Sequence, residues 1–185
     1  MGQAISKHYD SLLGHTSSTI LLLGLDAVGK TTLLLHLDPS LIPAFSPMYC
    51  PVETLEWRNA TFVSWAVVVN LRYWPMIKHY CQAAGAVIFM VDSSDRDRVE
   101  EARDVLEWML EEAELVGKPL LVLGNKQDLP GGLDWAELEG RLALREVRGR
   151  QWRLQLCSMV TLEGLLEGFE WLSRVLARKA GTPLW

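Results

Sequence analysis

The chain of 185 residues is long enough for one domain with a sizeable core, and 49% hydrophobic with 22% charged residues is the composition of a soluble globular protein. A net charge of -5 excludes a general affinity for nucleic acid. Three scattered cysteines, Cys50, Cys81 and Cys157, form no metal-type spacing and favour free thiols, and the longest apolar run, 83 to 91, is too short to span a bilayer.

The first residues, Met1-Gly2-Gln3-Ala4-Ile5-Ser6, fit the N-myristoylation pattern at Gly2, and no secretory leader is expected from them. Ile5, Tyr9, Leu12 and Leu13 fall at helical spacing and share one face. Two readings stand: an amphipathic helix packed on the domain, or a lipidated interfacial helix. In the second, one myristoyl chain binds membranes only marginally, so the apolar face supplies the second signal. The segment has almost no basic cluster, so electrostatic anchoring should be weak.

The apolar run Thr19 to Leu23 reads as a buried strand and Leu33 to Leu37 as the body of a helix. Between them lies Gly24-Leu25-Asp26-Ala27-Val28-Gly29-Lys30-Thr31-Thr32, a G-x-x-x-x-G-K-[ST] phosphate loop in the strand–loop–helix context it requires. The glycines bring backbone N–H groups against phosphate oxygens, and the helix start adds its dipole. Lys30 would reach the β- and γ-phosphates, and the Thr31 hydroxyl would ligate Mg²⁺.

Pro39, Pro43, Pro47 and Pro51 make the next stretch an extended loop. Val52 to Trp57 and Thr61 to Val69 read as a hairpin, and Tyr73 to Gln82 as a helix. Gly85 to Asp92 is a continuous apolar strand of the kind buried on both faces of a parallel sheet. A long helix follows, with Val99, Ala102, Leu106, Met109 and Leu110 on its inner face. Pro119 to Gly124 is the next strand, Ala136 to Leu144 a helix, Trp152 to Cys157 the last strand and Leu162 to Ala177 the last helix. This alternation predicts a doubly wound sheet whose ligands sit at the carboxyl ends of the strands. The glycine loop, Asp92 and the segment after Gly124 lie at those ends.

Asn125-Lys126-Gln127-Asp128 follows the apolar strand directly. The Asp128 carboxylate can accept from the N1–H and N2 amino group of guanine, which adenine lacks, so it selects guanine strongly. Asn125 would tie loops together and approach the base, and the aliphatic stem of Lys126 would lie over the purine face.

These motifs resemble the Arf and Arf-like small GTPases over essentially the whole chain. The resemblance is carried by the glycine start, by residues 24–32, by Val52-Glu53-Thr54, by Val91-Asp92-Ser93-Ser94-Asp95-Arg96-Asp97-Arg98, by Asn125-Lys126-Gln127-Asp128-Leu129-Pro130, and by Glu167-Gly168-Phe169-Glu170-Trp171-Leu172. It implies an α/β P-loop fold of the Ras-like small G proteins, with a mostly parallel six-stranded sheet and one antiparallel edge strand. It implies an N-terminal helix over residues 1–16, a GTPase domain over 17–180 and a tail over 181–185. The cofactors implied are GTP or GDP with Mg²⁺. The setting implied is a cytoplasmic monomer at the surface of Golgi or other endomembranes, working with effector and regulator proteins.

Departures from the family pattern cluster on the γ-phosphate side. Met48 stands at the first-switch threonine that ligates Mg²⁺, and an apolar side chain does not serve a hard cation. In Trp65-Ala66-Val67-Val68-Val69-Asn70, Ala66 replaces the aspartate that helps hold Mg²⁺, and Val69 the glycine that senses the γ-phosphate. Asn70 stands at the glutamine that orients the attacking water, one methylene short. The third base loop carries Ser158 and Met159 in Cys157-Ser158-Met159-Val160; its contact with guanine O6 is expected through backbone N–H, with Met159 crowding the base. Trp65 and Tyr80 fit two positions of the family's effector patch, and plain packing accounts for them equally well; Cys50 takes the third, usually aromatic, position. Weak or absent hydrolysis is expected, with a non-switching adaptor as the alternative.

Overall fold

The computed structural model describes residues 18–40, 52–57, 60–65 and 74–179. The expected helix and lipidation site at residues 1–16, the loop carrying Met48 and Cys50, the positions of Ala66 and Asn70 and the tail at 181–185 lie outside them.

Among the described residues, six strands form one sheet: β1 Ser18–Leu23, β2 Val52–Trp57, β3 Ala60–Trp65, β4 Ala84–Asp92, β5 Leu120–Asn125 and β6 Trp152–Leu156. Five helices of the described residues pack on it: α1 Lys30–Leu37, α2 Trp74–Ala83, α3 Val99–Leu110, α4 Trp135–Arg141 and α5 Leu165–Lys179. The spatial order is β2-β3-β1-β4-β5-β6. β1 is parallel to both β3 and β4, β4 to β5 and β5 to β6. Only β2 runs antiparallel, paired with β3 from Val52–Trp65 to Trp57–Ala60. This is the doubly wound sheet that the alternation predicts, with the one antiparallel edge strand that the resemblance implies.

The strand sequences explain the layering. Ile20 to Leu23 of β1 and Ala86 to Met90 of β4 are almost wholly buried, because both faces of the central strands are covered by helices. α3 turns Val99, Ala102, Val105, Leu106 and Met109 inward, at helical spacing, and keeps Glu100 and Glu101 in its first turn, where acidic groups suit the dipole. α5 buries Leu165, Phe169, Leu172 and Leu176, and the Phe169 ring meets Phe62 of β3 with centroids 6.3 Å apart.

Two boundaries differ from the sequence expectation by three residues. The helix expected over 136 to 144 stops at Arg141, because Ala143 adopts a left-handed conformation (φ 52°) and a 3-10 turn, Leu144–Glu146, follows. The last helix begins at Leu165 rather than Leu162, since Leu162 (φ 67°) and Gly164 (φ 74°) are both left-handed. Single-residue backbone reversals of this kind leave the apolar pattern intact, so periodicity passes over them.

Strand order reverses at β1, whose neighbours are β3 on one side and β4 on the other. The crevice at such a point, beyond the carboxyl ends of the strands, is where open α/β sheets bind ligands. Gly24 leaves β1 there, Asp92 ends β4, and Asn125 ends β5 in register with Asp92.

Candidate functional site

Three loops meet at this crevice. The first is the phosphate loop. Gly24 has φ +143°, and a Cβ there would run into the backbone carbonyl of Met90, so only glycine fits between β1 and β4. Gly29, with φ +105°, stands immediately before α1 and turns the chain into the helix. Leu25 and Val28 point into the core, whereas Asp26 and Ala27 face solvent.

Lys30 opens α1 and is only 7% exposed. Its Nζ donates to the carbonyls of Gly24 at 3.1 Å and of Leu25, which arches the loop over the ammonium. Thr31 is half-buried in the first turn of α1, and Thr32 is exposed beside it. Asp26 accepts from Arg98 at 2.8 Å; that bond holds its carboxyl below the usual range, against the opposing effect of burial.

The second loop runs from Asn125 to Asp128. The Asn125 amide is buried and joins the other two loops: Nδ2 donates to the Val28 carbonyl at 2.8 Å, and Oδ1 accepts from the Met159 N–H at 2.9 Å. Lys126 adopts a left-handed conformation (φ 68°), uncommon outside glycine, and sets its ammonium 2.6 Å from Asp92 Oδ2. Burial of Asp92 opposes its charge, but Lys126 and the donors of Ser94 prevail and hold its carboxyl below the usual range. Gln127 bonds the Ser93 hydroxyl at 2.9 Å and the Leu133 carbonyl at 3.0 Å.

The third loop is Cys157 to Thr161. Ser158 is buried, and its hydroxyl donates to Asp128 Oδ1 at 2.5 Å. Ser158 Oγ also accepts from the N–H groups of Val160 and Thr161, both at 3.1 Å. The Ser158 N–H donates to the Glu163 carbonyl at 3.1 Å. The N–H groups of residues 158 to 161 thus all have partners within the protein. Met159 is buried, turned toward Gly29, and its carbonyl lies 2.6 Å from His36 Nε2 of α1. Beneath the loop, burial pushes the Cys157 thiol up to about 12. A cavity of about 290 Å³ opens beside Gln127, Asp128, Ser158, Thr161 and Glu163.

The structure therefore brings Gly24 to Thr32, Asn125, Lys126, Asp128, Ser158 and Met159 to one end of the sheet. It differs from the sequence expectation in two details. Met159 is packed inward, because the neighbouring helix and glycine leave an apolar niche there, and its N–H is held by Asn125. The N–H groups of Val160 and Thr161 are engaged locally, because the Ser158 hydroxyl folds the turn onto itself. Tyr80 lies away from the loops on α2, half-buried, packed against the core and edge-on to His79 at 5.9 Å. Trp65 ends β3, and its side chain is outside the described residues. Asp92, Ser93, Gln127, His36 and Arg98 complete the network. The signal for Asp92 was in view, an acid closing an apolar strand, but its partner Lys126 emerges only from the parallel register of β4 and β5.

Among the described residues, no helix is long and apolar enough to cross a membrane. Residues 5–176 match the sequence profile of the ADP-ribosylation factor (Arf) family. With the strand order, the glycine loop and the Asn125–Asp128 loop in agreement with that match, the chain belongs to the ADP-ribosylation factor family, a family of GTP-binding small GTPases.

Proposed function

We propose that this protein binds guanine nucleotide through the three loops and hydrolyses GTP weakly or not at all. The observation that carries the reading is the Asn125 amide, which ties the phosphate loop to the base loop through Val28 and Met159. A phosphate-binding segment and a base-reading carboxylate are thereby held at a fixed separation, as a nucleotide requires. The cradle suits the anionic end: Lys30 lies inside the loop, and α1 starts at the left-handed Gly29. Asp128, oriented by Ser158, suits the N1–H and N2 donors of guanine.

Bound GTP would supply the phosphoanhydride and Mg²⁺ the positive charge that stabilises its cleavage. Thr31 would contribute one oxygen ligand to that cation. The expected second and third ligand positions hold Met48 and Ala66, and the position for orienting water holds Asn70. On this reading the Mg²⁺ site is weakened and water is poorly placed. Even an intact intrinsic site of this class turns over at only about 10⁻⁴ to 10⁻³ per second. Gly2 and the segment 1–16 would give peripheral attachment to endomembranes, and Trp65 with Tyr80 would contribute to an effector surface; trafficking is the setting the family implies.

The test is to denature the purified protein and identify the nucleotide it releases, then to titrate GDP and GTP with and without Mg²⁺. Retained GTP, bound with little dependence on Mg²⁺, is the expected result. Retained GDP followed by rapid single-turnover cleavage of added GTP would overturn the weak-hydrolysis reading. An empty site that takes up neither nucleotide would overturn nucleotide binding and leave the adaptor reading, in which the altered second switch (Ala66 to Asn70) serves partner proteins without switching.

A further inference from the structure

The phosphate loop carries one acidic residue, Asp26, between Gly24 and Lys30. Lys30 and the start of α1 suit an anion, and a bare carboxylate at that point would oppose phosphate by simple repulsion. Asp26 is not bare. Arg98 Nη2 donates to its Oδ1 at 2.8 Å, across 72 residues of sequence. The same guanidinium is steadied from the other side, where Nε donates to Glu101 Oε2 at 2.8 Å. Arg98 stands immediately before α3, so the bond fastens the loop to the start of that helix. A small crevice between them is lined by Leu25, Asp26, Ala27, Val91, Asp95 and Arg98.

We propose that Arg98 is a positioning residue of the phosphate site, acting through Asp26: it draws the Asp26 carboxylate toward α3 and cancels its charge, which keeps the loop receptive to a phosphate group. This rests on the guanine-nucleotide reading above. The planar guanidinium suits the role because it reaches two carboxylates at once and is never deprotonated. Both partners are partly exposed, Arg98 at 37% and Asp26 at 57%, so the effect is moderate and screened by salt.

The experiment is isothermal titration of the full chain, stripped of nucleotide, with GDP and separately with guanosine, at low and at high ionic strength. Arg98→Ala should weaken GDP about three- to fivefold at low salt and leave guanosine within about twofold, since the nucleoside carries no phosphate. Adding Asp26→Asn to Arg98→Ala should restore GDP binding, because the charge that needed cancelling is gone. Arg98→Lys should keep most of the affinity, because it keeps the cation. An equal loss of guanosine and GDP in Arg98→Ala, or a double variant no better than the single one, would overturn the proposal and leave Arg98 as a brace for α3. GDP binding by the parent that is unchanged in Arg98→Ala removes this proposal alone. Failure of the parent to bind either ligand removes the nucleotide reading, and the proposal falls with it.

Discussion

At position 158 one hydroxyl performs three tasks: it donates to Asp128 and accepts from two backbone N–H groups. That uses its single proton and both lone pairs, so the Asp128 carboxylate is held in one rotamer at the edge of the cavity. On the proposed reading, Ser158→Ala should weaken guanosine about three- to tenfold, on the scale of one ordinary net hydrogen bond, because Asp128 loses the group that orients it. Ser158→Thr should recover most of it, and titration with guanosine checks both. Gly24 acts at the same scale through what it lacks. With φ +143° and the Met90 carbonyl where a Cβ would sit, Gly24→Ala should destabilise the fold by about 2–4 kcal/mol, read as a lowered urea midpoint at unchanged slope. Both glycines of the loop were legible in the sequence, because a phosphate loop names the positions that need them. The tasks of Ser158 were not, since a serine after a strand satisfies many turns, and its partner Asp128 is thirty residues away.

Elements were legible wherever one local rule dominated. β1, β4 and β5 are continuous apolar runs bounded by polar or glycine residues, and the inner face of α3 repeats at helical spacing. The ends of α4 and α5 were not, because left-handed Ala143 and Leu162 are non-glycine residues that carry no turn signature. The start of α4 is the opposite case. Asp134 accepts from the Glu137 N–H at 2.8 Å, while the Glu137 carboxylate accepts from the Asp134 N–H at 3.2 Å, a reciprocal capping box. Asp134→Ala should cost about 1 kcal/mol, seen in chemical denaturation. α4 has only seven residues, so the loss should concentrate there and appear as faster amide exchange at its first turn. Arg141 at its other end grips Glu100 of α3 by both carboxylate oxygens, which keeps the two helices together even as α4 frays.

Across the whole molecule, two of the three cysteines are sealed in. Burial raises Cys157 to about 12 and Cys81 to about 11, the latter helped by the nearby carboxylates of Glu112 and Glu114. Both folded values exceed that of a thiol in the unfolded chain, about 8.5. Their contribution to stability is therefore complete below that pH and is lost as pH rises through about 11 and 12. The thermal midpoint should fall above about pH 9. At pH 8, alkylation followed by peptide mass analysis should leave Cys81 and Cys157 unmodified until denaturant is added. The overall architecture was the most legible level of all, because alternating strands and helices with an opening hairpin admit few layer arrangements. The tie between loops was expected of Asn125, but which partners it and its neighbours take was not legible, since those bonds join residues from distant parts of the chain.

The Asn125 amide, held between Val28 and Met159, makes three surface loops behave as one mechanical part. Ordinarily each loop opens and closes on its own, and each would exchange its amide protons at its own pace. Here a single side chain is the rivet, and the loops cannot breathe separately while it holds. Asn125→Ala should therefore speed deuterium uptake at residues 24–29, 125–128 and 157–161 together, while the strands behind them keep their protection.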